Sequence, residues 1–355
     1  SRRATYAELV GGRKFSLTLD ANARRKSPKD WTILGTPAKR PDIEEIVTGR
    51  FEYVHNVKLP GMLHGRVVRP PTMGATLASV DEASAAGLPG VVKVVVKKNF
   101  VGVVAQKPWQ ALQAAQTLKV TWNPGPPLPS QTDFYQTLRQ DRSTRDNLLF
   151  DSKDTGAKIS SAPVKVNASY LHPYQMHGSV GSSCSVADVQ GSRATIYSAT
   201  QAVWYQRNTC ATILGLQPDN IRVIFRRGSG CYGVNGADTA TYDAAILSQA
   251  VGKPVRVQLT RKDEMAWENY GPAYVIEQRA GLDAQGNIIA WEHESWSPSL
   301  GGRPGAARPG NIITGTLLGF EPDDFAPRPA SDPAAYNNNS NGIPSYFSAK
   351  FGGQA

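Results

Sequence analysis

At 355 residues, 40% hydrophobic and 19% charged, the chain is long enough for two or three domains of roughly 150 residues each, and its 33 glycines and 25 prolines follow no collagen-like period, which excludes a fibre. No stretch approaches the ~18 uninterrupted apolar residues of a membrane span, because the most apolar one, Gly90–Ala105, is broken by Lys93, Lys97, Lys98 and Asn99. The 39 basic and 29 acidic residues give a formal charge of +10, which suits nucleic acid, an anionic ligand or an acidic partner, while three scattered cysteines (Cys184, Cys210, Cys231) exclude a disulfide framework or a four-cysteine zinc site.

Residues 1–30 carry many small and basic residues and little periodicity, and read as an arm or the remnant of a preceding domain. No apolar run follows Ser1–Tyr6, so a secretory signal is not expected in this stretch. Basic residues are densest from Arg2 to Lys39 but lack interleaved aromatics and any nucleic-acid motif. The reading is a solvated arm, with no nucleic-acid partner.

Residues 31–122 show strands at Met62–Val68, Val91–Val96, Val101–Ala105 and Leu118–Trp122, with a helix over Pro108–Thr117, and form an α+β module. The run Asn123–Ser130 holds four prolines and opens a linker over 123–163, with a short helix expected at Asp133–Asp141. A second domain over 164–296 reads as strand Ala194–Ser198, helix Ala202–Leu214, strand Ile221–Phe225, helix Ala237–Ala250 and strand Val255–Leu259. A hairpin follows, Tyr274–Ala280 and Ile288–Ser295 around Asp283–Asn287. Residues 297–355, rich in Gly, Pro and Asn, are expected to be loops, disordered or completed by another chain.

The sharpest local feature lies between a β-branched strand and a helix: Gly228-Ser229-Gly230-Cys231-Tyr232-Gly233, which matches G-x-G-x-x-G and is preceded by Arg226-Arg227. Glycines there allow a tight turn whose N–H groups can approach an anion, with the following helix and the arginines adding positive potential. A phosphate or pyrophosphate would fit. A dinucleotide-binding loop also wants an acidic residue ~20 positions on, at the end of the next strand. Here that strand runs into Thr260-Arg261-Lys262, leaving an NADP-linked Rossmann enzyme as the weakest of three readings.

Other segments point to a family. Lys39-Arg40-Pro41-Asp42, Val47–Phe51, Leu59–Gly65 and Gly90–Val94 are similar to the hammerhead domain of the molybdopterin-binding large subunit of the xanthine oxidase family. Ser198-Ala199-Thr200-Gln201-Ala202-Val203-Trp204 resembles that family's S-x-T-Q segment, the Gly228–Gly233 loop stands where many relatives carry G-G-G-F-G, and Arg256–Met265 fits the strand and helix downstream. The resemblance runs from about residue 35 to 350 and is greatest to the isoquinoline 1-oxidoreductase and nicotinate dehydrogenase branch, over the middle portion of the subunit.

The resemblance implies a hammerhead-like α+β domain followed by the first part of a molybdopterin-binding domain with mixed sheets and flanking helices. It implies a molybdenum oxidoreductase component that hydroxylates or dehydrogenates an N-heteroaromatic or aldehyde substrate. The cofactor would be molybdopterin, plain or as the cytosine dinucleotide. Electrons would pass to iron-sulfur clusters on a small partner subunit and on to a cytochrome c or flavin acceptor, in a bacterial setting with the periplasm favoured. The implied cofactor contacts are Gln201, near an oxo ligand of the metal, and Gly228, Ser229, Gly230, Cys231, Tyr232 and Gly233. Cys231 and Tyr232 depart from the family's usual residues, and Cys231 is expected to be a buried thiol.

The family's catalytic glutamate sits in a G-x-G-E motif, and no Gly-Glu dipeptide occurs in these 355 residues; a G-Q-G segment is absent too. No catalytic residue is therefore assigned. The chain reads as part of a larger, split or shortened subunit that needs a complementary chain, inactive alone. The competing reading is a non-catalytic fold fragment or assembly module. His172 and His177, five apart around Pro173, suggest no metal site. Ser229 has no partnered base and no G-x-S-x-G elbow. Glu264 and Glu268, at i and i+4, are expected on a solvated or ion-paired helix surface.

Overall fold

The computed structural model describes residues 3–12, 18, 20–128, 130–140, 145–176, 178–232, 239–268, 270–299, 309–321 and 341–352. The chain divides into two units, Ser1–Phe51 and Glu52–Ala355. In the first, helix α1 (Tyr6–Val10) starts with a Thr5/Glu8 capping box and stops at Gly11 in the left-handed region, and α2 (Ile43–Val47) is equally short. None of its described residues is buried, and apolar side chains such as Tyr6, Leu9, Ile33, Leu34 and Val47 stand exposed.

The second unit runs β1 (Leu63–Val68), β2 (Thr76–Asp81), α3 (Ala83–Ala86), β3 (Val91–Lys97), β4 (Phe100–Ala105), α4 (Pro108–Thr117), β5 (Lys119–Asn123), α5 (Phe134–Gln140), β6 (Arg145–Asp151), α6 (Thr155–Ser161) and β7 (Val164–His172). It continues with β8 (Cys184–Gln190), β9 (Arg193–Ser198), α7 (Val203–Leu214), β10 (Ile221–Phe225), α8 (Thr239–Val251), β11 (Val255–Gln258), α9 (Arg261–Trp267), β12 (Tyr274–Leu282), β13 (Ile288–Ser299), α10 (Ile313–Leu317) and β14 (Asn341–Gly352).

The largest sheet has the order β10-β9-β8-β11-β1-β4-β3. Pairs β9/β10 and β1/β11 are parallel, whereas β8 is antiparallel to both β9 and β11. Strands from both sides of the proline-rich run thus share one sheet, with Leu63 opposite Val255 and Gly65 opposite Val257. The expected segments 31–122 and 164–296 are joined here by backbone hydrogen bonds, and the main unit starts at Glu52.

What seals this seam is α8, in which every residue from Thr239 to Ser248 is buried. An all-round buried helix needs small residues and a close bed. The bed is glycine: a methyl on Gly65 would lie 2.5 Å from Leu247 Cδ1, and one on Gly102 2.9 Å from Leu247 Cδ2. Leu247 therefore fills the hollow above two strands, joined in the core by Tyr242, Ile246, Ile196, Val255 and Val257. A smaller cluster under α4 holds Ala85, Val94, Val101, Val103, Ala114 and Leu118.

A second sheet, β6-β14-β13-β12-β7, contains the expected hairpin as β12/β13. Helix α6 closes on it at Gly281, where a methyl would meet Ala162 Cβ at 2.8 Å. Residues 341–352, expected as loop, instead pair as β14 with β13 and β6. The physical reason is long-range: β14 is stabilised by ladder bonds on both edges, which local composition does not encode. The class expected from the sequence, mixed sheets with flanking helices, is the one observed.

Candidate cofactor site

Parallel strands β9, β10 and β11 end at one edge of the large sheet, and antiparallel β8 begins there, as the pairs Phe225/Ser198, Ser185/Ser198 and Gln258/Cys184 establish. Four loops consequently open on that edge: 199–202, 226–232, 259–260 and the lead-in 178–183. Ligand crevices in open α/β sheets lie outside the carboxyl ends of parallel strands.

The first loop is shaped by its own hydroxyls. Ser198 Oγ shares a hydrogen bond with Thr241 (2.8 Å) and accepts one from Thr200 N–H (3.2 Å), and Thr200 Oγ1 accepts one from Ala202 N–H (3.1 Å). This turn leaves Gln201 exposed immediately before α7. No side chain caps α7 at Ala202, so its first N–H groups stand at the edge beside Gln201. The helix stops at Gly215 in the left-handed region.

The glycine loop continues directly from β10. Arg226 N–H donates to Ser198 O (2.9 Å), the Arg226 guanidinium lies 5.8 Å over the Tyr197 ring, and Arg227 O accepts from Val54 N–H (2.9 Å). Gly228 and Gly230 are half-buried because neighbours crowd them: a methyl on Gly228 would lie 3.0 Å from Ala199 Cβ, and one on Gly230 2.9 Å from Ser179 Cβ. Cys231 is exposed, contrary to the expectation of a buried thiol. Tyr232 is exposed as well, and Gly233 lies outside the described residues.

Segment 178–183 lies against this loop. Ser229 Oγ accepts from Gly181 N–H (2.9 Å) and donates to Gly181 O (2.6 Å), while His55 Nε2 donates to Ser182 O (2.8 Å). Arg261 donates to Ser179 O and pairs with Glu264, whose other oxygen accepts from Ser183 N–H (2.9 Å) and Ser183 Oγ (3.0 Å). The space left among Val54, His55, Ser179, Cys184, Ala199 and Gly228 is ≈ 10 Å³, enough for one water at most. That space is too small for a pterin or a pyrophosphate, whereas Gln201, Cys231 and Tyr232 are exposed.

Glu264 and Glu268 correct a second expectation. Both are buried: Glu264 is ion-paired with Arg261, as one of the two expected options had it, but under the 178–183 segment rather than on a surface, and Glu268 caps the end of α9 away from water. Among the sequence-derived candidates the edge brings together Gln201 and residues 228–232. Sequence reasoning missed His55, Ser179 and Gly181, and it placed Arg261 and Glu264 on the helix after β11 without linking them to this edge. It also missed Gln206, fully buried in α7 with its amide unpartnered among the described residues.

Burial and the neighbouring Arg256 and Arg66 push His64 below the usual imidazole range, and His293 sits beside Gln278 at 2.6 Å. His177 lies outside the described residues. Cys184 and Cys210 are buried thiols pushed up to about 12 by desolvation. The Rossmann reading fails on topology: the chain leaves edge strand β10 through α8 and returns in β11 beyond β9 and antiparallel β8, not beside its starting strand.

The family model for the molybdopterin cofactor-binding domain matches residues 140–302. A nicotinate dehydrogenase subunit of Pseudomonas putida is 41% identical over 306 residues, covering 84% of this chain and 26% of the relative. The isoquinoline 1-oxidoreductase beta chain of Brevundimonas diminuta is 24% identical over 298 residues, covering 78% and 37%. The structure of quinoline 2-oxidoreductase from Pseudomonas putida 86 superposes with a TM-score of 0.58 at 19% identity, over 74% of this chain and 39% of that one.

Residues 140–302 thus match the molybdopterin cofactor-binding domain family, within a fold shared with a solved molybdenum hydroxylase chain. The resemblance to the large subunits of the xanthine oxidase family, in the nicotinate dehydrogenase and isoquinoline oxidoreductase branch, is thereby shown over the middle portion of those subunits. The chain spans between 26% and 39% of the length of the relatives described.

Proposed function

We propose that this chain supplies part of the molybdopterin site of an oxidoreductase that hydroxylates or dehydrogenates an N-heteroaromatic or aldehyde substrate. The observation that carries the reading is the convergence, on one sheet edge within the region matched by the molybdopterin-binding family, of Gln201, the uncapped start of α7 and the 226–232 loop with its two arginines. That donor set suits an anionic group: backbone N–H, neutral amide and guanidinium all donate.

Molybdopterin, plain or as the cytosine dinucleotide, would supply the metal chemistry. Gln201 would donate its amide toward an oxo ligand, and the backbone of 228–232 would line the pterin pyrophosphate with Arg226 and Arg227 adding positive potential. Cys231 and Tyr232 would stand at the rim, where their exposure leaves room for a ligand. No residue of this chain is assigned as the catalytic base. In this reading the base and the rest of the pocket come from parts of the subunit outside these 355 residues or from a complementary chain. Electrons leave through an iron-sulfur small subunit toward a cytochrome c or flavin acceptor. A non-catalytic assembly role for the chain is the alternative class.

The test is turnover. Protein purified with its companion chains is assayed with an N-heteroaromatic acid and an aromatic aldehyde, with an artificial dye as electron acceptor. Dye reduction that falls at least tenfold in Gln201→Ala supports the reading. A holoprotein indifferent to both substrates, or to Gln201→Ala, overturns it.

A further inference from the structure

The Ser229 hydroxyl gives its one proton to the protein itself. It accepts from the N–H of Gly181 and donates to the C=O of that same residue, so one side chain completes both backbone groups of a residue 48 positions away. This takes the place of a β-bridge between two loops that have none. Glycine at position 181 gives the arrangement room, since a methyl there would lie 3.0 Å from Ser229 Oγ and 3.2 Å from His55 Nε2 and would press on both. His55 holds the next residue through Ser182 O, and because a carbonyl only accepts, Nε2 carries the proton. His55 is itself tied to the glycine loop, as Val54 N–H donates to Arg227 O. Three segments far apart in sequence, 54–55, 181–182 and 227–229, are thus closed into one clasp.

A glycine-rich loop gains backbone freedom at the expense of a defined shape, because glycine loses more conformational entropy on ordering than any other residue. A loop that must present several N–H groups to one anion functions best when that shape is set beforehand. From these two facts we propose that Ser229 is a positioning residue: clasped to Gly181 and backed by His55, it sets the 228–232 backbone in the conformation that receives the cofactor's anionic part. The role rests on the reading that this loop faces the molybdopterin. It also reassigns Ser229 from ligand contact to scaffold, leaving the ligand to the backbone and to Gln201.

The test compares wild type, Ser229→Ala, Ser229→Thr and Gly181→Ala, purified with companion chains, by amide hydrogen exchange and molybdenum content. Ser229→Ala should speed exchange at residues 179–183 by roughly tenfold, as expected when two hydrogen bonds are lost. It should also lower molybdenum occupancy severalfold, with Thr, which keeps the hydroxyl, restoring both. Gly181→Ala, which keeps the hydroxyl but presses a methyl against it, should reproduce the alanine phenotype. Unchanged exchange in Ser229→Ala refutes the clasp. Faster exchange with wild-type molybdenum content refutes the positioning role, leaving only a structural tie. Wild-type protein that carries no molybdenum overturns the reading of the site itself, and with it the role.

Discussion

Asp243 offers a quantitative test of how the two halves of the large sheet are locked. Its carboxylate is fully buried in α8, paired with Arg69 just beyond β1 (5% exposed), and accepts from Thr314 Oγ1 of α10 at 2.7 Å. Burial pushes this carboxyl above the usual carboxylate range, opposed by the charge of Arg69 and the two hydrogen bonds. Asp243→Leu strands a guanidinium in the core and should cost about 3–5 kcal/mol, whereas Asp243→Leu with Arg69→Met removes both charges and should recover most of it. Against a typical total of about 5–15 kcal/mol the single variant is close to unfolding, and the difference is easily read in urea melts followed by far-UV circular dichroism. The pH dependence has a fixed sign. A folded pKa above the unfolded value of about 3.9 means that the native state holds the proton longer, so the contribution of Asp243 is full below that value and declines as pH rises through the folded one. The wild-type advantage over Asp243→Asn should therefore shrink from pH 4 upward. A single variant costing under 1 kcal/mol, or a double variant no better than the single, would refute a desolvated pair at this junction.

Three further outcomes follow from packing and burial. Gly65→Ala places a methyl 2.5 Å from Leu247 Cδ1, 3.1 Å from Val255 Cγ1 and 3.2 Å from Val257 Cγ2. It should destabilise by about 1–3 kcal/mol in the same melts, with partial relief in a Leu247→Ala background. Gln206→Leu replaces a buried amide with no partner among the described residues and should leave stability unchanged or raise it by about 1 kcal/mol; a loss above 2 kcal/mol would show that the amide is engaged. At pH 8 a thiol reagent should label Cys231 in the native protein, while Cys184 and Cys210, buried and raised to about 12, should react only in denaturant.

Much of the second half was legible because its signals are local. The β9-α7-β10-α8-β11 order follows from β-branched runs alternating with longer helical periods, and Gly215 ends α7 where a left-handed residue is required. Gly228–Gly233 stands out for the same reason, and the family motif around Gln201 could be matched by eye. What was hidden is non-local. Nothing near Leu63 announces that it pairs with Val255, 192 residues on, or that β14 returns to β13. Burial misled in both directions: Glu264 reads as a surface acid but is drawn inward by Arg261 and Ser183, and Cys231 reads as core but is exposed. The role of Ser229 could not be read at all, since its partner is a glycine in a loop without a motif of its own.

The central claim is that the carboxyl edge of β9 and β10 holds molybdopterin. Its most direct test is the molybdenum and organic phosphate content of the protein purified with every companion chain, each identified by intact mass and peptide mapping. Stoichiometric molybdenum, lost together with phosphate when Gln201 and Arg226-Arg227 are replaced by alanine, is the predicted result. Protein that carries neither element, or that keeps both after those replacements, would contradict the account.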